Sequence, residues 1–189
     1  MYDSMPRHYS FKYADDDYES IWTLFRLRTP VLLLGLLLGL GITFAASRFE
    51  HVFSTHIELA FFLPFIIYMG AAVGTQTEAI YSRDLKTGKS KFSNYIHKEF
   101  GLGILLGLLF GMLCGTLAYV WLRKMDIAVS VGLAGGLTIA TAPLVALFVT
   151  HLFQKLHKDP ATGAGPIGTV IQDITSIIIY GIITSAILL

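Results

Sequence analysis

Charge is what this chain has least of. Asp, Glu, Lys and Arg make up 14% of its 189 residues, against about a quarter in an ordinary soluble domain. The shortage is uneven. Five apolar runs, 29–47, 57–81, 101–122, 127–150 and 166–189, contain no Lys or Arg at all. The net charge of +1 removes any basic-patch argument for nucleic acid. Cysteine is nearly absent too. Cys114 stands alone in an apolar run, so it makes no intrachain disulfide and reads as a small buried hydrophobe. No phosphate-cradling loop, metal-finger spacing or nucleophile–base pair occurs, and an enzyme is not expected.

What is present is hydrophobicity: 54% of residues are apolar and the mean hydropathy is +0.64. An apolar run of about 20 residues crosses a bilayer as a helix. The five runs therefore predict an all-α integral membrane protein with five transmembrane helices, in a cell inner or plasma membrane. Ala45-Ala46-Ser47 would suit a signal cleavage site, but 28 mostly polar residues precede the first run. A retained anchor is expected instead. Eleven Lys and Arg residues fall on one side of the spans and three on the other. The positive-inside rule then places the N-terminus in the cytoplasm and the C-terminus outside.

Residues 1–28 read as a cytoplasmic segment and 29–189 as the membrane domain. Within the first, Ile21, Trp22, Leu24, Phe25 and Leu27 are interleaved with charges, the pattern of an interfacial amphipathic helix. Asp15, Asp16 and Asp17 are expected to cap its start. In the third span Gly103, Gly107, Gly111 and Gly115 recur every four residues, putting four glycines on one face for close helix packing. Outside, Glu50, His51, His56 and Glu58 lack the spacing of a metal site and read as loop solvation.

The fifth span carries the chemistry. Thr169, Asp173, Ser176, Tyr180 and Thr184 lie on one helical stripe, with Gln172 beside it. An ionised carboxylate buried in a membrane needs a partner, and the spans offer no basic residue. Asp173 is therefore protonated, hydrated in a pore, or paired with a cation from solution. Intramembrane acids of this kind mark ion or proton paths; a neutral Asp hydrogen-bonded to a neighbouring helix is the structural alternative. The second span adds the Pro64 kink, the small residues Gly70, Gly74 and Thr77, and the polar Gln76 and Glu78 near its cytoplasmic end.

Pro64, Gly70, Gly74 and Gln76, then Arg83, Leu85 and Thr87-Gly88, then "KEFGLGILLGL", Asp159-Pro160-Ala161 and "GPIGTVIQDITSIIIY" follow one another in order. On these motifs the chain resembles the transmembrane domain of the MgtE magnesium transporters, which are related to the eukaryotic solute carrier family 41. The resemblance runs from about Arg28 to Leu189. It implies a homodimer of five-helix bundles in a lipid bilayer, with Mg²⁺ as the bound and transported ion. The path would run along the dimer axis between the second and fifth spans. Asp173 would be the central metal ligand, with Thr169 one turn before it. Gln76, Gly70, Gly74, Gln172 and Ser176 would line or shape the path. Glu78, Asp84 and Asp159 are further candidates at the cytoplasmic mouth.

Two departures stand out. The family's Gly-Asn-x-Gly-x-Gln is replaced here by Ala71-Ala72-Val73-Gly74-Thr75-Gln76, and Glu78 occupies a position more often apolar. Both bear on ion selectivity. On this resemblance, residues 1–28 are expected to stand where the typical bacterial proteins carry cytosolic sensor and CBS domains. Two other functions stay open: a Na⁺- or H⁺-coupled divalent cation exchanger, and a non-transporting membrane scaffold.

Overall fold

The computed structural model describes residues 17–88, 91–155 and 160–189, the side chains of 86 and 160–164 excepted. Their helices are α1 (Ile21–Ser47), α2 (Glu50–Thr55), α3 (Ile57–Lys86), α4 (Phe92–Leu122), α5 (Met125–Lys155) and α6 (Pro160–Leu188). All except the six-residue α2 are long and apolar enough to cross a membrane. The chain is an all-α integral membrane protein.

The helices outrun the apolar runs that announce them. At about 1.5 Å per residue, the 31 residues of α4 reach roughly 46 Å, more than the ~30 Å hydrocarbon core. Its first turns, Phe92 to Phe100, carry His97, Lys98 and Glu99, which interrupt hydropathy without interrupting the helix. The same holds at the start of α1. Residues 21–28 are its first two turns, continuous with the span. The cap is Ser20, whose Oγ accepts from Thr23 N at 3.2 Å, in place of the expected aspartates. Trp22 stacks on Phe25 at 5.4 Å, and the Arg26 guanidinium lies 5.0 Å above the indole.

The glycine stripe of α4 meets small residues of α5. A methyl group on Gly107 would stand 2.5 Å from Gly136 O and 2.7 Å from Ala140 Cβ, and one on Gly111 would stand 2.8 Å from Gly132 O. Gly103 abuts Ala140 O and Gly115 lies against Ala128 O. Every fourth residue of one helix thus faces every fourth residue of its antiparallel neighbour. The backbones touch, which only glycine and alanine allow. Gly35 and Gly39 of α1 have nothing within 4 Å of an added methyl, so the shorter repeat in the first span has no such role within the chain.

Helices α2 to α6 together enclose a core that includes Leu59, Ile66, Val131, Ala134 and Tyr180. Tyr180, fully buried, donates its hydroxyl to Leu59 O at 2.8 Å and so ties α6 to the first turn of α3. Beside it the Phe49 ring lies against Gly181, where no side chain would fit. At the other end of the bundle, polar side chains join α3, α4 and α5. Thr77 Oγ1 donates to Glu99 Oε2 at 2.9 Å, both residues buried. Tyr81 Oη lies 3.0 Å from His151 Nδ1, and Phe92 stacks on that imidazole at 4.0 Å.

Candidate ion path

The antiparallel helices α3 and α6 are packed tightly in one half and open in the other. In the tight half Tyr180 reaches Leu59. Midway, a methyl group on Gly70 would stand 3.0 Å from Gln172 Nε2, 3.0 Å from Thr138 Cγ2 and 3.2 Å from Ser176 Oγ. The missing side chain lets two polar groups of α6 and a threonine methyl of α5 converge on the α3 backbone. Beyond Gly70 the helices leave a small, partly open groove with about 20 Å³ of space for water. Its α3 wall is Ala71, Gly74, Thr75 and Glu78; its α6 wall is Gly168, Thr169 and Gln172; Ala146 and Val149 of α5 form the floor.

The polar stripe of α6 divides accordingly. Ser176 and Thr184 are fully buried and bond back to their own helix, Ser176 Oγ to Gln172 O at 2.8 Å and Thr184 Oγ1 to Tyr180 O at 2.7 Å. Such hydroxyls satisfy themselves and face protein. Thr169 and Asp173 differ. Thr169 is exposed; its hydroxyl donates to Gly165 O at 2.9 Å, which leaves the oxygen lone pairs free to accept. Asp173, one turn on, is half-buried, and its Oδ1 is shielded from solvent without a hydrogen-bond partner. Gln172, 3% exposed, carries a second orphan acceptor in Oε1, while its Nε2 lies 3.3 Å from Ser176 Oγ. Buried acceptors with no donor are costly, by about 1–3 kcal/mol each, and rare enough in native proteins to ask for an explanation.

The other sequence candidates scatter around this groove. Gly74 lines it directly and Gly70 shapes its closed end. Glu78 is a wall residue, its Oε1 3.5 Å from where a Gly165 side chain would begin. Gln76 is exposed and not among the lining residues. Ser176 is sequestered behind Gly70. Asp84 is engaged by Arg83 Nε at 2.9 Å and by the Tyr95 hydroxyl. Asp159 lies outside the described residues. On the opposite side, Glu58 pairs with Lys124, and no three His, Cys, Asp or Glu converge as a metal set among the described residues. Sequence reasoning passed over the Thr77–Glu99 pair. Glu99 sits in the polar start of α4 beside His97 and Lys98, and nothing in the sequence marked it as a partner of Thr77.

Fold and site together define a polytopic helical membrane protein with a small groove bearing four polar side chains and an unpartnered carboxylate inside the spans. Residues 63–183 match the family model for MgtE, described as a divalent cation transporter. The chain belongs to the MgtE family. It is 30% identical over 162 residues to the magnesium transporter MgtE of Bacillus subtilis, covering 84% of this chain and 36% of the relative. Identity to the magnesium transporter MgtE of Enterococcus faecalis is 31% over 156 residues, 81% of this chain and 34% of that one. With the magnesium transporter MgtE of Thermus thermophilus it is 29% over 171 residues, 89% and 37%. The chain spans about a third of the length of these curated relatives.

Proposed function

We propose that this protein carries divalent cations, Mg²⁺ foremost, across the bilayer, with Asp173 at the ion site. One observation carries the reading: the Asp173 carboxylate sits inside an apolar span with Oδ1 unpartnered, on the same helix face as the open Thr169. A cation is the partner such a group lacks. Mg²⁺ prefers oxygen ligands and gives up water reluctantly, and hydroxyl and carboxamide acceptors on a partly open groove suit an ion that keeps part of its shell. Membership of the MgtE family supports the same ion class.

The proposed unit is a homodimer. In a lone chain, Thr169 and the half-buried Asp173 would meet lipid along an otherwise apolar helix. A second copy facing the first across a two-fold axis removes that cost and supplies a second carboxylate to one divalent ion. The ends bearing the α3–α4 and α5–α6 connections would lie in the cytoplasm, and the membrane would be the plasma membrane. Residues 29–189 would form the transport domain, and 1–28 would remain on the cytoplasmic side. The ion itself is cargo and no organic cofactor is invoked.

The test is Mg²⁺ entry into proteoliposomes loaded with a Mg²⁺-sensitive dye, wild type against Asp173→Ala. Flux in the wild type that disappears in a correctly assembled variant is the expected outcome. Equal flux in both ends the assignment of Asp173. Running the assay with and without imposed Na⁺ and pH gradients separates a channel from a coupled exchanger, and no flux under any gradient returns the scaffold reading.

A further inference from the structure

The groove between α3 and α6 has Glu78 as the carboxylate in its wall, and Asp173 is not among its lining residues. Glu78 lies beside Gly165, eight residues before Asp173, or about 12 Å along α6 at ~1.5 Å per residue. It is half-buried in the groove wall, with Thr75 of its own helix and Thr169 of α6 as neighbouring wall residues. Gln172 lines the same groove, is 3% exposed, and has an Oε1 with no donor. A carboxylate, two hydroxyls and an orphan carboxamide oxygen make an all-oxygen set. The groove's own space of about 20 Å³ is enough for about one water, and the groove is partly open, so an ion there keeps solvent on its open side.

We infer that this groove is a second divalent-cation subsite, built within one chain, in which Glu78 supplies the charge and Gln172 Oε1 accepts hydrogen bonds from the ion's retained waters. The inference rests on the cation-transport reading and adds a binding step to it. It accounts for the orphan oxygen of Gln172: a hydrated cation brings donors where the protein has none. It also gives Glu78 a reason to sit on the groove side of α3. An ion would be held first by Glu78, then passed the remaining ~12 Å to Asp173, or the reverse. The two subsites differ in composition. The first is complete in every chain; the second, in the proposed dimer, is shared by two.

The experiment is Mn²⁺ titration of the purified full chain in detergent, followed by electron paramagnetic resonance, alongside Mg²⁺ flux in proteoliposomes. Four chains are compared: wild type, Glu78→Gln, Glu78→Asp and Asp173→Asn. Size-exclusion profiles and melting curves serve as assembly controls. Glu78→Gln is expected to lose one Mn²⁺ per chain. It should also raise the half-saturating Mg²⁺ about tenfold, equivalent to ~1.4 kcal/mol of binding, while maximal flux changes little. Glu78→Asp, which keeps the charge, should retain the ion, and Asp173→Asn should keep the Glu78-dependent Mn²⁺ while losing flux. If Glu78→Gln binds as much Mn²⁺ as wild type with unchanged half-saturation, the subsite is refuted, whatever Asp173 does. If Asp173→Asn transports normally, the Asp173 assignment falls, and the Mn²⁺ count at Glu78 still decides the subsite separately.

Discussion

Removing the Asp173 carboxylate should abolish transport without unfolding the bundle. A divalent ion held through one water lies at an assumed ~4 Å from the carboxylate, where the attraction is about 8 kcal/mol at an effective dielectric constant of ~20. If dehydration of the ion and the carboxylate returns half of that, about 4 kcal/mol remains, close to a thousandfold in occupancy. Asp173→Ala therefore predicts at least a hundredfold loss of Mg²⁺ flux in proteoliposomes at sub-saturating Mg²⁺. Asp173→Asn, which keeps the shape and loses the charge, predicts nearly the same loss. Stability should move the other way. Oδ1 has no hydrogen-bond donor to lose, alanine favours helix over aspartate by several tenths of a kcal/mol, and an unpaired polar group leaves the membrane interior. The melting temperature of the variant should match or exceed that of wild type. A variant that melts normally and still carries Mg²⁺ at more than a tenth of the wild-type rate would refute the electrostatic argument. A variant that falls apart would instead favour Asp173 as a structural hydrogen-bonding residue.

Other perturbations read the packing. Gly107→Val drives a branched side chain into Gly136 O and Ala140 Cβ, at 2.5 Å and 2.7 Å from the first carbon alone. It should destabilise by about 1–3 kcal/mol or more, seen as a lower melting temperature, whereas Gly35→Val, with nothing within 4 Å, should stay within about 0.5 kcal/mol. Tyr180→Phe removes the 2.8 Å bond to Leu59 O and should cost about 1 kcal/mol by the same assay. Thr77→Val leaves the buried Glu99 without its hydroxyl donor and should cost about 1–3 kcal/mol; Thr77→Ser should recover most of it.

The spans were legible because hydropathy over 20 residues is a sum, and single exceptions do not spoil it. Their ends were not. His97, Lys98 and Glu99 close the apolar window, yet helix continues on both sides of them, because helical propensity and membrane burial are different quantities. The glycine stripe was legible as a face, and its partner was not: Ala128, Gly132, Gly136 and Ala140 repeat at the same spacing, but only the fold pairs the two rows. The stripe on α6 shows the opposite limit. Periodicity put Thr169, Asp173, Ser176, Tyr180 and Thr184 on one stripe, and could not show that Ser176, Tyr180 and Thr184 are fully buried while Asp173 is half-buried and Thr169 exposed. Gln76 and Glu78 stand two residues apart in sequence. That is about 200° around a helix, so at most one of them could line a groove on that side, and it is Glu78.

The tight half of the α3–α6 pair explains how the open half can exist. A groove lined by Gly74, Gly168 and two threonines gives little packing to hold two helices together. The holding is done elsewhere along the same helices: by Tyr180 on Leu59, and by Gln172 and Ser176 against Gly70. Each of these contacts needs a missing side chain or a backbone carbonyl on the opposing element, so each fixes register as well as distance. Register decides which oxygens meet in the groove, because one residue of slip turns a helix by about 100° and would carry Glu78 or Thr169 out of it. The same logic separates two kinds of glycine on one helix. Gly70→Ala should act through register, altering both melting temperature and flux. Gly74→Ala, whose added methyl would meet only ordinary contacts at 3.6 Å and 3.7 Å, should leave melting unchanged and act on flux alone, by narrowing the groove. Equal effects of the two substitutions on both readouts would mean that the groove and its closure are not separable in this way.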